Sequence, residues 1–477
     1  PEAVALRHRE RVLTCGALEA DAARIAGALI ARDVAPGAVV GLHLARSLEQ
    51  VAAVLGSLTS GAAVLPLPPA FPAARQRQIL DSASPALVLD SDLTGLSSGR
   101  SGRNVLPVES LLSEASSVAV DPPSLDEEAI AFVLSSSGST GRPKLIARSH
   151  RSFFHRLEWT WRRHPYHEGE VCCQKAHMTT THSIYELFEP LLMGVENLIV
   201  PDDEVRDLER FWEVLREKDV TRLLIVPSPL RASLAMPGFE PPPMEVVIIM
   251  GEYVSPHLAD EVLRRFPAST RIYSIYGSTE ASSTLVCDLR ALFREGEELP
   301  LGAPISEDTR AVVLDGQLRP VGTGGTGRLY LGGPALFSGY LGDPASTEEA
   351  FVSEPGTGER LYDTRDQVEL TFESELRYIG RVDHTVKVRG FRVNTGEVEN
   401  VVREHPTVAS TVVLPEVDPG GATSLVAFVT PSAIDPTALF DTLRTSLPDY
   451  MVPSAIVPLD SFPMTASAKI DRVRLLE

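Results

Sequence analysis

One stretch constrains the fold of this chain more than any other: the apolar run Ala129–Leu134 and the hydroxyl- and glycine-rich segment 135–144 that follows it. A short apolar run that ends at a turn signal is typical of a buried strand. Gly138 and Gly141 can adopt backbone angles that other residues resist, so successive N–H groups here can point inward around an anion. Further donors come from hydroxyls and one ammonium, in Ser136, Ser137, Ser139, Thr140 and Lys144. The stretch therefore predicts a strand that ends in a polyphosphate-binding loop.

Two well-known phosphate motifs do not match this segment. Lys144 follows Pro143, so the GK[ST] of a Walker A loop is absent, and no G-x-G-x-x-G is present either. A flexible surface loop is the alternative interpretation, because Ser/Gly clusters often form loops. The preceding strand and the closing Pro-Lys favour phosphate binding.

Length and composition bound the class of protein. A chain of 477 residues predicts more than one domain, because single cores stop growing near ~250–300 residues. The net charge of −20 argues against a general binder of nucleic acid or anionic membranes, and no apolar run reaches membrane-spanning length. Four cysteines are too few and too irregular for a disulfide framework or a zinc site, which fits a reducing cytoplasm. The chain starts at Pro1 without a signal-peptide pattern, so we expect a piece of a longer protein or a trimmed one.

Helix and strand signals alternate along the chain. Helices are predicted at 17–31 and 48–59, and strands at 39–44 and 61–67, which indicates an α/β fold with mostly parallel sheets. The Ser/Gly-rich segment 90–122 is predicted to be a surface excursion. Beyond Gly327 short β segments and further helices follow, ending in predicted helices at 397–404 and 436–447. We predict a large N-terminal α/β domain, 1–382, and a small α+β C-terminal domain, 383–477.

An acidic residue follows a second strand-to-turn segment, 272–280. Mg²⁺ prefers one or two carboxylates together with substrate phosphate oxygens, so Glu280 is a candidate metal ligand if a phosphate loop lies nearby. A solvated helix start is the alternative for an isolated glutamate.

Several motifs together resemble one family. S-S-G-S-T-G-x-P-K at 136–144 resembles the phosphate loop of the AMP-forming adenylation enzymes, a superfamily of acyl-CoA ligases, luciferases and adenylation domains of nonribosomal peptide synthetases. Y-G-S-T-E at 276–280 resembles the family's Y-G-x-T-E, and 362–366 resembles its Y-x-T-G-D. Segment 380–393 matches its hinge motif, although a charged edge strand is the alternative for such a basic hairpin. The ending 463–472, P-x-T-x-x-x-K-x-D-R, is similar to the synthetase branch, which is also favoured by 447–453.

The resemblance implies a role for each matching residue. Tyr276 would lie against adenine, Thr279 would contact the α-phosphate and Glu280 would hold Mg²⁺. Lys469 would bridge the substrate carboxylate and the α-phosphate, so the implied catalytic residues are Lys469, Thr279 and Glu280. The large N-terminal domain, 1–382, would bind ATP and substrate, and the C-terminal domain, 383–477, would be a mobile lid with Asp383 as its hinge. The implied ATP-binding residues are Ser136, Ser137, Gly138, Ser139, Thr140, Gly141, Lys144, Gly251, Glu252, Tyr276, Gly277, Asp366 and Arg381, of which Asp366 and Arg381 would contact the ribose.

Four positions depart from the family pattern. Pro68 and Asn394 stand where acids are usual, and Arg365 and Ala468 stand where glycines are usual. Arg365 has the clearest consequence, because a glycine there would permit a backbone conformation that arginine resists.

The substrate pocket also departs from the usual pattern. Segment 181–188 resembles F-D-x-S-x-W-E, and Thr181 stands where an aspartate pairs with the substrate α-amino group. A hydroxyl cannot neutralise an ammonium, and a buried unpaired cation is costly. We therefore expect an acid without a normal α-ammonium, or one whose amine is bound elsewhere. The resemblance implies a pocket lined by Thr181, His182, Tyr185, Ile225, Ile248, Met250, Ile275, Ser283 and Thr284, although His182 could equally be a hydrogen-bonded core histidine.

The resemblance implies a ligase that uses ATP and Mg²⁺ to adenylate a carboxylic acid, with no nucleic-acid or membrane partner. The acyl group would then pass to the phosphopantetheine thiol of a carrier protein, as in nonribosomal peptide and antibiotic biosynthesis. Three alternatives stay open: an acyl-CoA ligase, a conventional α-amino-acid-activating domain, and a non-catalytic binding domain on the same scaffold.

Overall fold

A computed structural model of the chain describes residues 1–91, 104–113, 122–137, 143–383, 385–418, 421–464, 470–472 and 474–476. The chain divides into two compact units. The larger consists of residues 1–69, 82–134 and 145–380, and the smaller of 70–81, 135–144 and 381–477. The smaller unit thus includes two segments that the predicted division at 382/383 assigns to the large domain, and that division stays a prediction.

The strands of the described residues are short, as expected for α/β proteins. They are β1 Val4–His8, β2 Arg11–Thr14, β3 Val39–His43, β4 Ala63–Pro66, β5 Leu87–Asp90, β6 Val105–Pro107, β7 Ile130–Ser136, β8 Lys144–Ser149, β9 Val171–Gln174, β10 Glu196–Ile199, β11 Val220–Ile225, β12 Val246–Met250, β13 Arg271–Ser278, β14 Ser282–Asp288, β15 Ala303–Pro304, β16 Arg310–Leu314, β17 Gly325–Gly332, β18 Gly339–Tyr340, β19 Phe351–Ser353, β20 Arg360–Leu370, β21 Leu376–Arg381, β22 Thr385–Val388, β23 Phe391–Asn394, β24 Ser410–Val417, β25 Thr423–Thr430 and β26 Ala455–Pro458.

Helices alternate with these strands. They are α1 Cys15–Ile30, α2 Leu48–Thr59, α3 Ala73–Ala83, α4 Val108–Ser113, α5 His150–Arg163, α6 Thr181–Leu191, α7 Asp202–Arg206, α8 Leu208–Glu217, α9 Pro227–Leu234, α10 Pro256–Arg265, α11 Leu289–Leu292, α12 Pro344–Glu349, α13 Thr395–Arg403 and α14 Pro436–Ser446.

Two mostly parallel sheets dominate the larger unit. The first has the order β15-β14-β13-β12-β11-β9-β10-β1-β2, in which the strands from β13 to β1 are parallel to their neighbours. The second has the order β18-β8-β7-β4-β3-β5-β6. A smaller antiparallel sheet is built from β16, β17, β20, β19 and β21. The predicted fold class, α/β with mostly parallel sheets, is therefore confirmed.

The start of α2 shows how local sequence sets an element. Ser47 adopts an extended backbone, and its side chain accepts a hydrogen bond from the Gln50 N–H, which caps the helix. The apolar residues that follow recur at helical spacing and are buried. The observed helix, Leu48–Thr59, has the predicted bounds.

The prediction for segment 90–122 is wrong in part. Residues 105–113 form β6 and α4, and the side chains of Val108 and Leu111 are fully buried. Two apolar residues three positions apart can anchor one helical turn, even inside a polar, Ser-rich stretch.

The strands of the first sheet pack on both faces, as parallel strands do. Along β12, Ile248 and Met250 join one apolar cluster, whereas Val247 and Ile249 join another on the opposite face. Ligand sites in such sheets lie beyond the carboxyl ends of the strands, which is where β12 and β13 lead into the candidate site.

Candidate active site

The segment 276–280 comprises the last three residues of β13 and the first two residues of the turn that leads into β14. Gly277 lies where a Cβ atom would come within 1.7 Å of the Ser282 carbonyl oxygen, so only glycine fits. The β-bulge between Tyr276 and Gly277 and the positive φ of Ser282, +60°, tighten the same turn. The sequence therefore builds a close backbone crossing that fixes the positions of Thr279 and Glu280.

Glu280 is buried, with 1% of its surface exposed. The Tyr340 hydroxyl donates to Glu280 Oε1 at 3.1 Å, and the Phe337 N–H donates to the Glu280 carbonyl oxygen at 2.7 Å. A carboxylate is the kind of oxygen ligand that Mg²⁺ takes together with phosphate oxygens, so the residue present fits a metal ligand.

Arg148 holds the neighbouring residue of this turn. Its Nη1 donates to the Thr279 carbonyl oxygen at 2.8 Å, and the side chain is 1% exposed. Burial lowers the pKa of the Arg148 guanidinium, and the nearby groups Tyr185 and Glu280 oppose that shift. Sequence reasoning missed Arg148 and Tyr340; a charged residue directly after the apolar run Leu145–Ala147 was the signal available for the first.

The predicted ribose ligand Asp366 lies beside the predicted adenine contact. The Tyr276 hydroxyl donates to Asp366 Oδ2, and Asp366 is 6% exposed. Its backbone N–H donates to Thr364 Oγ1 at 3.0 Å, which orients the residue. Tyr276, Thr279, Glu280 and Asp366 are thus brought together within the larger unit.

Arg365 adopts the conformation that the usual glycine would supply. Its φ is +62°, in the left-handed region that disfavours side chains. The Arg365 N–H donates to Asp363 Oδ1 at 2.9 Å, and its guanidinium pairs with Asp363 and Glu349. These contacts compensate for the backbone strain, so β20 continues through this position despite the departure from the family pattern.

The G-E turn lies against the candidate pocket. Gly251 has φ +98°, and a Cβ there would lie 2.7 Å from the His182 ring. The Glu252 carboxylate accepts from the Ser228 N–H at 2.9 Å and from the Ser228 hydroxyl, which joins the end of β12 to the start of α9. His182 therefore lies beside a residue of the predicted nucleotide site.

Helix α6 carries three pocket candidates, Thr181, His182 and Tyr185, and all are buried. Tyr185 shares an apolar cluster with Ile248, Met250 and Ile275. Ile225 packs in the cluster on the opposite face of the sheet, in register with Ile249, so the structure does not bring it together with the others.

Three hydroxyl side chains begin β14, those of Ser282, Ser283 and Thr284. The Tyr185 hydroxyl forms a hydrogen bond with Ser282 Oγ, and Thr284 Oγ1 donates to the Tyr276 carbonyl oxygen at 3.4 Å. Ser283 Oγ is buried and has no hydrogen-bond partner among the described residues. This end of the candidate pocket offers neutral polar groups.

The two acids of α6 are already engaged. Glu186 accepts from the backbone N–H groups of Lys175 and Ala176, at 2.8 and 2.6 Å, and pairs with Lys175 Nζ at 3.0 Å. Glu189 pairs with Arg156 at 2.7 Å, and burial raises the pKa of the Glu189 carboxyl.

The smaller unit contains the described part of the predicted phosphate loop. Ser137 Oγ donates to the Arg392 carbonyl oxygen at 2.8 Å and accepts from the Asn394 N–H at 2.9 Å. Ser136 ends β7 and Lys144 begins β8. The predicted residues Gly138, Ser139, Thr140, Gly141 and Lys469 lie outside the described residues.

Arg381 and Asp383, the predicted ribose contact and hinge, form a two-point ion pair. Arg381 Nε and Nη2 donate to the two Asp383 carboxylate oxygens at 2.8 and 2.9 Å. Burial alone would raise the pKa of Asp383, but these hydrogen bonds and the nearby Arg392 hold that pKa below its ordinary value.

One histidine and two glutamates of the larger unit lie close enough together to be considered as a metal site. Ligand atoms of His167, Glu170 and Glu245 lie within 4.8 Å of one another. Both Glu170 oxygens accept hydrogen bonds from Arg222, which competes with any cation.

Among the described residues, no helix combines the length and apolar character needed to cross a membrane.

Two family descriptions match the chain. "AMP-binding enzyme" matches residues 1–341, and "AMP-binding enzyme C-terminal domain" matches residues 397–469. The chain belongs to the AMP-binding enzyme family. The predicted resemblance to AMP-forming adenylation enzymes is thereby confirmed, and with it the class of adenylate-forming ligase, which uses ATP.

Curated relatives of this AMP-binding enzyme are much longer proteins. It is 33% identical over 488 residues to a linear gramicidin synthase of Brevibacillus parabrevis, covering 99% of this chain and 9% of the relative. It is 34% identical over 483 residues to the AMB antimetabolite synthetase AmbB of Pseudomonas aeruginosa, covering 100% of this chain and 38% of the relative. The chain therefore corresponds to well under half the length of each.

Solved structures share its fold. An artificially fused adenylation–PCP di-domain, NpsA-ThdA from Klebsiella oxytoca, has a TM-score of 0.85 at 24% identity, covering 96% of this chain and 90% of that chain. The Vibrio cholerae adenylation domain AlmE, in complex with glycyl-adenosine-5'-phosphate, has a TM-score of 0.82 at 21% identity, covering 99% and 94%. These likenesses confirm the predicted fold of a large N-terminal α/β domain and a smaller C-terminal domain.

Proposed function

We propose that this AMP-binding enzyme adenylates a carboxylic acid that lacks a normal α-ammonium group and passes the acyl group to the phosphopantetheine thiol of a carrier protein. The observation that carries the proposal is the grouping of Tyr276, Thr279, Glu280 and Asp366 around one turn of the larger unit. These residue types suit a base, a phosphate, a metal ion and a ribose in that order.

The proposed first step is an in-line displacement. A substrate carboxylate oxygen forms a bond to the α-phosphorus of ATP, the bond from that phosphorus to the bridging oxygen breaks, and pyrophosphate leaves. Asp366 accepts hydrogen bonds from the ribose hydroxyls, and the Thr279 hydroxyl donates to the α-phosphate. Holding both reactants in one geometry lowers the entropic part of the activation barrier.

Charge stabilisation is the second contribution. Mg²⁺, held by Glu280, neutralises phosphate charge when it is bound. Lys469 is proposed to place its ammonium between the carboxylate and the α-phosphate, where negative charge develops during the attack.

The chemistry of α6 supports a non-standard acid. Thr181 is 8% exposed and offers a hydroxyl at the position of the usual aspartate. The nearest acids on this helix, Glu186 and Glu189, are paired with Lys175 and Arg156. An α-ammonium in the pocket would therefore receive no counter-charge from this helix, and an unpaired charge is costly in a buried site. A hydroxy-, keto- or aryl acid, or a modified amino acid, fits better.

The carrier-protein acceptor rests on the ending 463–472 and on the relatives. The chain is similar to a di-domain in which an adenylation domain is fused to PCP, and to a linear gramicidin synthase. Comparing free coenzyme A with a phosphopantetheine-loaded carrier protein as the acceptor tests this part. Equal or better transfer to free coenzyme A would assign the chain to the acyl-CoA ligases instead.

Acid-dependent ATP–pyrophosphate exchange tests the adenylation step. A panel of hydroxy-, keto-, aryl- and amino acids should reveal at least one acid that drives exchange. Lys469→Ala should abolish that exchange, whereas the exposed Lys218→Ala should match the parent chain. Absence of exchange with every acid would leave a non-catalytic binding domain.

The pocket has its own test. Thr181→Asp restores a carboxylate, and we expect it to shift preference toward unmodified α-amino acids. If an unmodified α-amino acid is already by far the best substrate of the parent chain, the proposed substrate class is wrong.

A further inference from the structure

The buried arginine of β8 carries an inference that rests on the proposed adenylation. Arg148 donates four hydrogen bonds to three separate segments of the larger unit. Nε donates to Ser152 Oγ at 3.1 Å and Nη2 to the Ser152 carbonyl oxygen at 2.9 Å. Nη2 also donates to the Ala335 carbonyl oxygen at 3.0 Å, and Nη1 to the Thr279 carbonyl oxygen at 2.8 Å.

All of these acceptors are neutral. A buried charge is costly unless it is paired or fully hydrogen-bonded, so a guanidinium here requires three segments to keep their acceptors in place. The planar fork of arginine fixes the directions of its N–H groups, which lysine cannot imitate. Arg148 is thus a rigid junction between the start of α5, the turn 276–280 and the segment after β17.

Two of those segments meet at the candidate metal ligand. Glu280 follows Thr279, whose carbonyl Arg148 holds. The segment after β17 supplies the Phe337 N–H and the Tyr340 hydroxyl that bind Glu280. The guanidinium of Arg148 therefore holds both the turn that carries Glu280 and the segment whose groups bind Glu280.

We propose that Arg148 is a positioning residue for adenylation, which fixes the Thr279–Glu280 turn in the geometry that the reaction requires. Its four hydrogen bonds all go to protein groups, and none of them goes to Tyr276 or Asp366. Its loss should lower the rate of the chemical step and leave nucleotide binding largely intact.

The test compares two variants of Arg148 with the parent chain in ATP–pyrophosphate exchange, using an acid that drives exchange in the parent. Arg148→Met removes all four donors, and Arg148→Lys keeps the charge without the fork. Rates are divided by the folded fraction measured by circular dichroism. The Kd for ATP is measured separately by calorimetric titration. Arg222→Met is the matched control, because it also removes a buried arginine of the larger unit and none of its hydrogen bonds reach the turn.

We expect kcat to fall by at least tenfold in Arg148→Met, toward the hundredfold that a displacement of about 1 Å can cause. KM and the calorimetric Kd for ATP should change by less than about threefold. The kcat of Arg148→Lys should lie between that of Arg148→Met and that of the parent chain. Arg222→Met should keep the parent kcat per folded molecule. If Arg148→Met does not fold, Arg148→Lys alone tests the proposal, which then requires a lowered kcat with a nearly unchanged KM. An unchanged kcat, or an equal loss in Arg222→Met, would overturn the role of Arg148, whereas an inactive parent chain would overturn the proposed function instead.

Discussion

The buried pair of Arg222 and Glu170 offers a prediction of stability that can be worked from its contacts. Arg222, on β11, donates to both Glu170 carboxylate oxygens, at 2.5 and 2.8 Å. It also donates to the carbonyl oxygens of His164 and Pro165, at 2.6 and 2.9 Å, and its guanidinium lies 3.7 Å from the Tyr166 ring centroid. The Glu170 side chain has no exposed surface. Arg222→Met would leave the buried Glu170 carboxylate without its positively charged partner.

The expected cost follows from the burial. Removing one partner of a buried ion pair typically destabilises a protein by about 3–5 kcal/mol, because an uncompensated charge remains. The two carbonyl oxygens also lose their donors. These contributions are not additive, so we expect a loss of about 4 kcal/mol in the free energy of unfolding. The double variant Arg222→Met/Glu170→Met should lose less than Arg222→Met alone, because no charge is left unpaired.

Urea unfolding followed by tryptophan fluorescence measures this loss. Trp159, Trp161 and Trp212, the three tryptophans of the chain, all lie in the larger unit, so the signal reports the unit that contains the pair. Arg210→Met is the control, because Arg210 pairs with Glu217 at 3.0 Å on an exposed helix face, and its loss should not be measurable. Equal stability of Arg222→Met and Arg210→Met would refute the reasoning.

The same pair predicts a pH dependence. Burial alone would raise the pKa of the Glu170 carboxyl, but hydrogen bonds from Arg222 and the His167 N–H hold that pKa below its ordinary value. A lowered folded-state pKa contributes stability above the unfolded value of about 4.3, and that contribution is lost as the pH falls through the folded-state pKa. In Arg222→Met the arginine is gone, so burial raises the pKa of the Glu170 carboxyl above its ordinary value. The stability gap between the parent and Arg222→Met should therefore be largest at neutral pH and narrow as the pH falls from that raised pKa to the lowered pKa of the parent. A gap that widens on acidification would contradict this assignment.

Two further predictions concern the site itself. Gly251→Ala should destabilise the chain in urea by more than Gly194→Ala: both have positive φ, at +98° and +71°, which costs about 1 kcal/mol, but only Gly251 has a side chain 2.7 Å from the added Cβ. Equal losses would mean that the contact is relieved without cost. Tyr276→Phe removes the hydroxyl that binds Asp366, and one such hydrogen bond corresponds to about a two- to tenfold rise in KM for ATP with kcat unchanged. An unchanged KM in ATP–pyrophosphate exchange would show that Asp366 is held by other groups.

The sequence predicted helix bounds well where an N-cap residue and the spacing of apolar residues indicate the same start, as they do for α2. It also identified the turn 276–280, because the glycine that permits the chain crossing is part of a recognisable motif. The contacts that complete the site could not be predicted in the same way. Arg148 is 131 residues from Thr279 and 187 from Ala335 along the chain, and only the folded sheets bring them together. The face on which Ile225 lies depends likewise on strand register, which single-sequence periodicity leaves open when both faces are buried.

The bridge made by the Ser137 hydroxyl has a consequence for nucleotide affinity. A serine hydroxyl can donate one hydrogen bond, and here Ser137 donates it to the Arg392 carbonyl oxygen. Phosphate oxygens accept hydrogen bonds, so the predicted donation from Ser137 to a triphosphate requires this bridge to open. If nucleotide binds only the open form, the apparent dissociation constant equals the intrinsic one divided by the fraction of molecules in which the bridge is open.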